Sequence, residues 1–177
     1  MPASHECWER IQIGERAINF VTMASWLTMC VLICEDPARQ DPVSEVIRAV
    51  GPNLVIGLLM DGPQLRSRWS SRYASVLAED PGCSVLTLTS LGMASRSRPR
   101  DVLPGTAADR SRVIALWRDA IYGEQEIEVE SGHDACVLSL VCRTGREFTI
   151  DGRSDNDSAY FPVFAGSQSF DSQASRN

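Results

Sequence analysis

The sequence predicts an α/β fold. Between residues 28 and 90 the chain reads apolar run, amphipathic segment, apolar run, amphipathic segment, apolar run. That alternation is the pattern of a parallel sheet joined by crossover helices. From 113 onward, short runs separated by turn residues read as further strands joined in hairpin fashion.

Residues 10–13 and 17–22 predict two strands joined by Gly14-Glu15, with Ile18, Phe20 and Met23 on one side. Residues 28–33 form a continuous apolar run of the kind buried on both faces, closed by Cys34-Glu35-Asp36-Pro37. Pro42 suits the first turn of a helix capped by Asp41 and running to about Val50, where Gly51-Pro52 stops it. A second buried strand spans 54–60 and closes at Asp61-Gly62-Pro63. Residues 66–79 predict a helix with Trp69, Tyr73, Val76 and Leu77 inward, ended by Asp80-Pro81-Gly82. A third strand is expected at 84–89. Residues 94–112 have loop composition, and their arginines lack the interleaved aromatics of a polyanion site. Short strands are expected at 113–117, 126–129, 136–141 and 147–150, with Thr144-Gly145-Arg146 as a turn. Beyond residue 152 the chain is rich in Ser, Asp, Gly and Asn, so 153–177 reads as a polar, largely disordered tail.

Composition removes several function classes. Of 177 residues, 17 are basic and 23 acidic, a net charge of −6, and every basic residue is arginine. Without lysine there is no Schiff base and no Walker-type phosphate grip. The acidic balance disfavours a nucleic-acid partner. A length of 177 suits one domain, which at this size buries roughly 70% of its unfolded surface. The uncharged stretch from Ala17 to Cys34 is interrupted by Asn19, Thr22, Ser25 and Thr28, so it reads as strands and no membrane association is expected.

The six cysteines, at 7, 30, 34, 83, 136 and 142, include no CxxC pair, and only His5 and His133 could join them at a metal. Free thiols in a reducing, cytoplasmic setting are expected, with no metal site. There is no Gly-x-Ser-x-Gly elbow, no phosphate-binding glycine loop and no His-Glu-x-x-His, and no cofactor is expected. His133 next to Asp134 reads as a solvated turn histidine rather than a partner for Cys34.

Cys34 is the most informative residue. It closes a buried strand of a parallel sheet, and ligands of open α/β sheets bind outside the carboxyl ends of strands. The loops beginning at Asp61 and at Ser90 open on the same edge. Cys34 is therefore the candidate nucleophile, the Glu35 N–H a candidate oxyanion donor, and Glu35, Asp61 and Ser90 the candidate substrate contacts. A buried strand-end cysteine that only packs is the competing reading.

The run Val31-Leu32-Ile33-Cys34-Glu35-Asp36 resembles the nucleophile strand of the carbon–nitrogen hydrolase (nitrilase/amidase) superfamily: aliphatic residues, a cysteine, a variable residue, then an acid. The order of the later elements is also similar. A strand ends at Asp61, an arginine-containing helix covers 66–79, a strand ends in Ser90-Leu91-Gly92, and strands at 126–142 come after Ile114-Ala115-Leu116-Trp117-Arg118-Asp119. The resemblance spans roughly residues 8–152, and only the Cys34 segment is fairly specific. It implies a partial α-β-β-α sandwich and Cys-nucleophile hydrolysis of a small amide or nitrile, with a glutamate as base and a lysine holding the oxyanion. An ordinary thiol is only a few per cent ionised at neutral pH, which is why such a site needs a base or a cation.

The chain departs from that pattern. The family's glutamate and lysine lie upstream of its cysteine, yet only 33 residues precede Cys34 and none of the 177 is lysine. Residues 1–152 are therefore expected to form a partial domain that lacks the family's amino-terminal part. Glu9 is the candidate for an acid supplied from within the chain. The alternative expectation is an inactive remnant that serves assembly, with a homo-oligomer as one outcome, because a half-domain leaves apolar sheet surface uncovered.

Overall fold

The computed structural model describes residues 17–106, 108–148 and 155–172. Two antiparallel strands come first, β1 (Phe20–Ala24) and β2 (Leu27–Ile33), joined through Ser25-Trp26. β3 (Leu54–Leu58) and β4 (Ser84–Leu88) then add in parallel to β2. The crossovers carry α1 (Glu45–Val50) and α2 (Trp69–Glu79). After α3 (Leu91–Arg96), β5 (Val113–Asp119) and β6 (Gly123–Glu128) return antiparallel. All six strands lie in chain order in one mixed sheet, and β7 (Ala135–Phe148) pairs with β8 (Asp155–Phe170) as a separate two-stranded sheet.

The fold is α/β, as the alternation predicts. The pleat sends alternate side chains to opposite faces. One face buries Cys30, Leu32, Val55 and Val85 against Ile47 of α1 and Ala74, Leu77 and Ala78 of α2. The other packs Leu54, Ala115, Trp117 and Ile127 under Leu138 and Leu140 of β7 and Phe164 of β8. The described residues thus form three layers: helices, sheet and hairpin.

Several expectations need correction. The strand at 28–33 is buried on one face only. The hairpin reaches Leu27, Met29, Leu54 and Ile56 but leaves Val31, Ile33 and Leu58 open. The first strand begins at Phe20, not residue 17, and Met23, an odd number of residues from Phe20 and unpaired at the register shift between Thr22 and Ala24, faces solvent instead of sharing Phe20's side. Asp41 precedes a proline and takes the extended backbone of an N-cap (φ −114, ψ 126), with the chain turning helical from Pro42 into α1, but its carboxylate makes no capping hydrogen bond among the described residues.

α2 buries Ser70, Ser71, Ala74, Leu77 and Ala78, while Tyr73 and Val76 face solvent. Its inner stripe consists mostly of small residues, and its polar members are satisfied. The Ser70 hydroxyl donates to Gln64 Oε1 (2.9 Å) and the Ser71 hydroxyl to Glu124 Oε1 (2.8 Å). The expected turn at 144–146 is the interior of β7, where Gly145 lies against the Phe161 ring and a Cβ would come 3.0 Å from it. Most of the expected disordered tail is β8, whose backbone groups find partners in β7 from Ala135↔Phe170 onward. The segment 10–13 lies outside the described residues.

Candidate active site

The parallel register fixes the relation between the loops that matter. Ile33 pairs with Leu58 and Leu58 with Leu88, so β2, β3 and β4 end level. The ladder runs one step further: the Cys34 N–H donates to Leu58 O (2.7 Å) and the Leu59 N–H to Leu88 O (2.8 Å). Cys34, Asp61 and Ser90 accordingly lie just past the carboxyl ends of three adjacent strands, the edge on which the sequence places them.

Cys34 turns the chain sharply. Its φ is 53°, a left-handed value for a residue that is not glycine. Side chains there cost about 1–3 kcal/mol and persist only where the surroundings impose them. Here the amide is pinned to Leu58, and the Asp36 carboxylate folds back to accept the Ile33 N–H (3.0 Å). The chain then enters a 3₁₀ turn at Asp36–Ala38 with Pro37 near its start. Cys34 is half-buried, neither sealed nor fully exposed. The next backbone donor, the Glu35 N–H, has no acceptor among the described residues. A strained strand-to-helix turn presenting a sulfur next to a free N–H is a workable nucleophile geometry.

The other thiols differ. Cys30 and Cys83 are buried in the helix-side core, and burial raises them to about 11 and about 12 respectively. Cys136 and Cys142 lie on β7, half-buried. All five cysteines among the described residues are free.

Asp61 and Ser90 reach the predicted edge but are already engaged. The Asp61 carboxylate is ion-paired with Arg68 and accepts from the Gly62 N–H (2.7 Å) and the Trp69 indole N–H (3.0 Å). Burial pushes its carboxyl up, but Arg68, the Gly62 N–H and Trp69 outweigh that and hold it below the usual carboxylate range. The Thr89 hydroxyl donates to the Asp61 carbonyl (2.7 Å), tying this loop to the end of β4. Ser90 is the N-cap of α3, its hydroxyl accepting from the Met93 N–H (3.2 Å). Glu35 is exposed on the turn beside Cys34. Glu9 lies outside the described residues. His133 sits in the turn after β6, four strands along the sheet from β2.

Residue-by-residue reading misses Arg68 and Trp69 as the clamp on Asp61. Their signal is the seven- and eight-residue spacing from an acid at a strand end, which no periodicity singles out. Among the described residues no group of three or more His, Cys, Asp or Glu side chains could hold a metal, and no helix is long and apolar enough to cross a membrane. Comparison of the chain with protein-family models, with curated proteins and with solved structures returned no match.

Proposed function

We propose that the chain is a carbon–nitrogen hydrolase-like domain in which Cys34 is the nucleophile toward a small amide or nitrile. The observation that carries this reading is the backbone at Cys34, a half-buried thiol on a left-handed turn at the carboxyl end of a parallel strand. A residue that only packs needs no such conformation.

In this reading the thiolate adds to the amide carbon, the C–N bond breaks, and the nitrogen leaves as ammonia after taking a proton. Water then cleaves the thioester, giving a carboxylic acid and restoring the thiol. With a nitrile, sulfur adds to the carbon and the nitrogen is protonated to a thioimidate. Water converts this to the same thioester with loss of ammonia. The Glu35 N–H supports the developing oxyanion or nitrogen anion, and Asp36 holds the turn in place. The catalytic set is incomplete. The 177 residues contain no lysine, and Arg68 at the same edge is committed to Asp61. Turnover on this reading requires that missing sequence or a partner supply the cation, and a base unless Glu9 serves.

An activated nitrile such as 2-cyanopyridine, whose addition needs little anion stabilisation, tests the nucleophile separately from turnover. Mass spectrometry is expected to find the adduct on Cys34 first and to find none there in Cys34→Ser. An unmodified Cys34 alongside modified Cys136 or Cys142 would remove the nucleophile from the proposal.

A second reading has its own observation. Val31, Ile33, Leu58 and Met60 form an open apolar surface beside the same edge, with Ile33 64% and Met60 78% exposed. We infer from it an assembly role for the sheet, in a reducing and cytoplasmic compartment that keeps the cysteines free.

A further inference from the structure

A cavity of about 370 Å³ opens beside the Cys34 turn, between the 3₁₀ turn and the start of α2, lined by Glu35, Ala38, Arg39, Trp69 and Tyr73. Its wall is aromatic. The Trp69 and Tyr73 rings meet edge to face, centroids 5.9 Å apart at 69°. The Trp69 ring of this wall is fixed, because its indole N–H is held by Asp61, which is itself held by Arg68 and Gly62. A ring so held loses little freedom when a ligand arrives.

The rim carries one charge of each sign. Glu35 and Arg39 are both exposed and stand four residues apart, yet no ion pair joins them or ties either to another described residue. Opposite charges that share a cavity without neutralising each other match a ligand that itself bears both. An ammonium suits Glu35 and the ring faces, whereas a carboxylate suits the planar fork of Arg39. A ligand with a single charge would leave the other rim charge unanswered.

We propose that this cavity binds a zwitterionic α-amino-acid group. Resting on the hydrolase reading above, the amide or nitrile presented to Cys34 then belongs to an amino-acid derivative, held in a cavity lined by Glu35, the residue that follows Cys34. The binding itself does not require that reading.

Calorimetric titration of the whole chain at pH 7 with norvaline, with pentanoate (norvaline without its ammonium) and with butylamine (norvaline without its carboxylate) tests it. Norvaline is expected to bind about tenfold more tightly than either singly charged probe. Arg39→Gln and Glu35→Gln, at exposed side chains whose loss leaves folding intact by circular dichroism, should each reduce that advantage to roughly threefold or less. Cys34→Ser should bind norvaline as the unaltered chain does, so the site stands even where the thiol proves unreactive toward nitriles. Norvaline binding no tighter than pentanoate and butylamine, or binding indifferent to both charge-removing substitutions, would overturn the proposal, whatever Cys34 does.

Discussion

At Cys34 the backbone carries the functional argument, and it can be tested without activity. A left-handed φ penalises any Cβ, so Cys34→Gly should be more stable than Cys34→Ala by about 1 kcal/mol in urea unfolding, although both lose the thiol. Equal stability would mean that the turn is not strained. Asp61 supplies a second residue-scale prediction. Its carboxyl is held below the ordinary range in the folded state, so the stability it contributes is complete above its unfolded value near pH 4 and is lost as pH falls through the lower folded value. Asp61→Asn should cost about 1–2 kcal/mol at pH 7, since hydrogen bonds to a charged group are lost, and should flatten the acid limb of stability below pH 4. Chemical denaturation across pH 3–7 would measure both. Cys34 was legible in the sequence because a strand end followed by acids and proline is a local pattern. The Arg68–Asp61–Trp69 clamp was not, because it depends on how the β3 loop folds back on α2.

Among the elements, the three parallel strands and two crossover helices were readable because each combines an apolar run with breakers at its ends: Gly51 at φ 64 after α1, and Asp80-Pro81-Gly82 after α2. What misled was size. Apart from Leu77, the inner stripe of α2 is small, Ser70, Ser71, Ala74 and Ala78, which lets the helix approach the sheet closely, whereas the larger Tyr73 and Val76 that suggested a core face are exposed. The hairpin was misread for a related reason. β8 is polar and small over much of its length, and its order comes from pairing with a strand that begins 20 residues earlier. Its anchor on the sheet is Trp117, fully buried, tilted against Phe164 at 6.4 Å and donating its indole N–H to Asp119 (2.7 Å). Trp117→Ala is expected to cost about 3–5 kcal/mol. Amide hydrogen exchange should accelerate in β7 and β8 before it does in β3 and β4; uniform acceleration would show that the hairpin is not a separable layer.

For the whole molecule, the open apolar face beside the carboxyl edge is the largest departure from a self-sufficient domain. Val31, Ile33 and Leu58 continue the surface that the hairpin covers at Met29 and Ile56. The chain should therefore associate with rising concentration in sedimentation velocity, and the double variant Ile33→Lys, Leu58→Lys should remain monomeric with unchanged secondary structure. Persistent association of that variant would locate the contact elsewhere. The fold class was legible at this scale, but how far the hairpin extends over the sheet was not, since that rests on long-range pairing. The most direct test of the central claim is alkylation by iodoacetamide at neutral pH, tracked site by site with mass spectrometry. Cys34 is predicted to label faster than the half-buried Cys136 and Cys142 and far faster than the core thiols Cys30 and Cys83; a Cys34 that labels no faster than Cys136 or Cys142 would contradict the account.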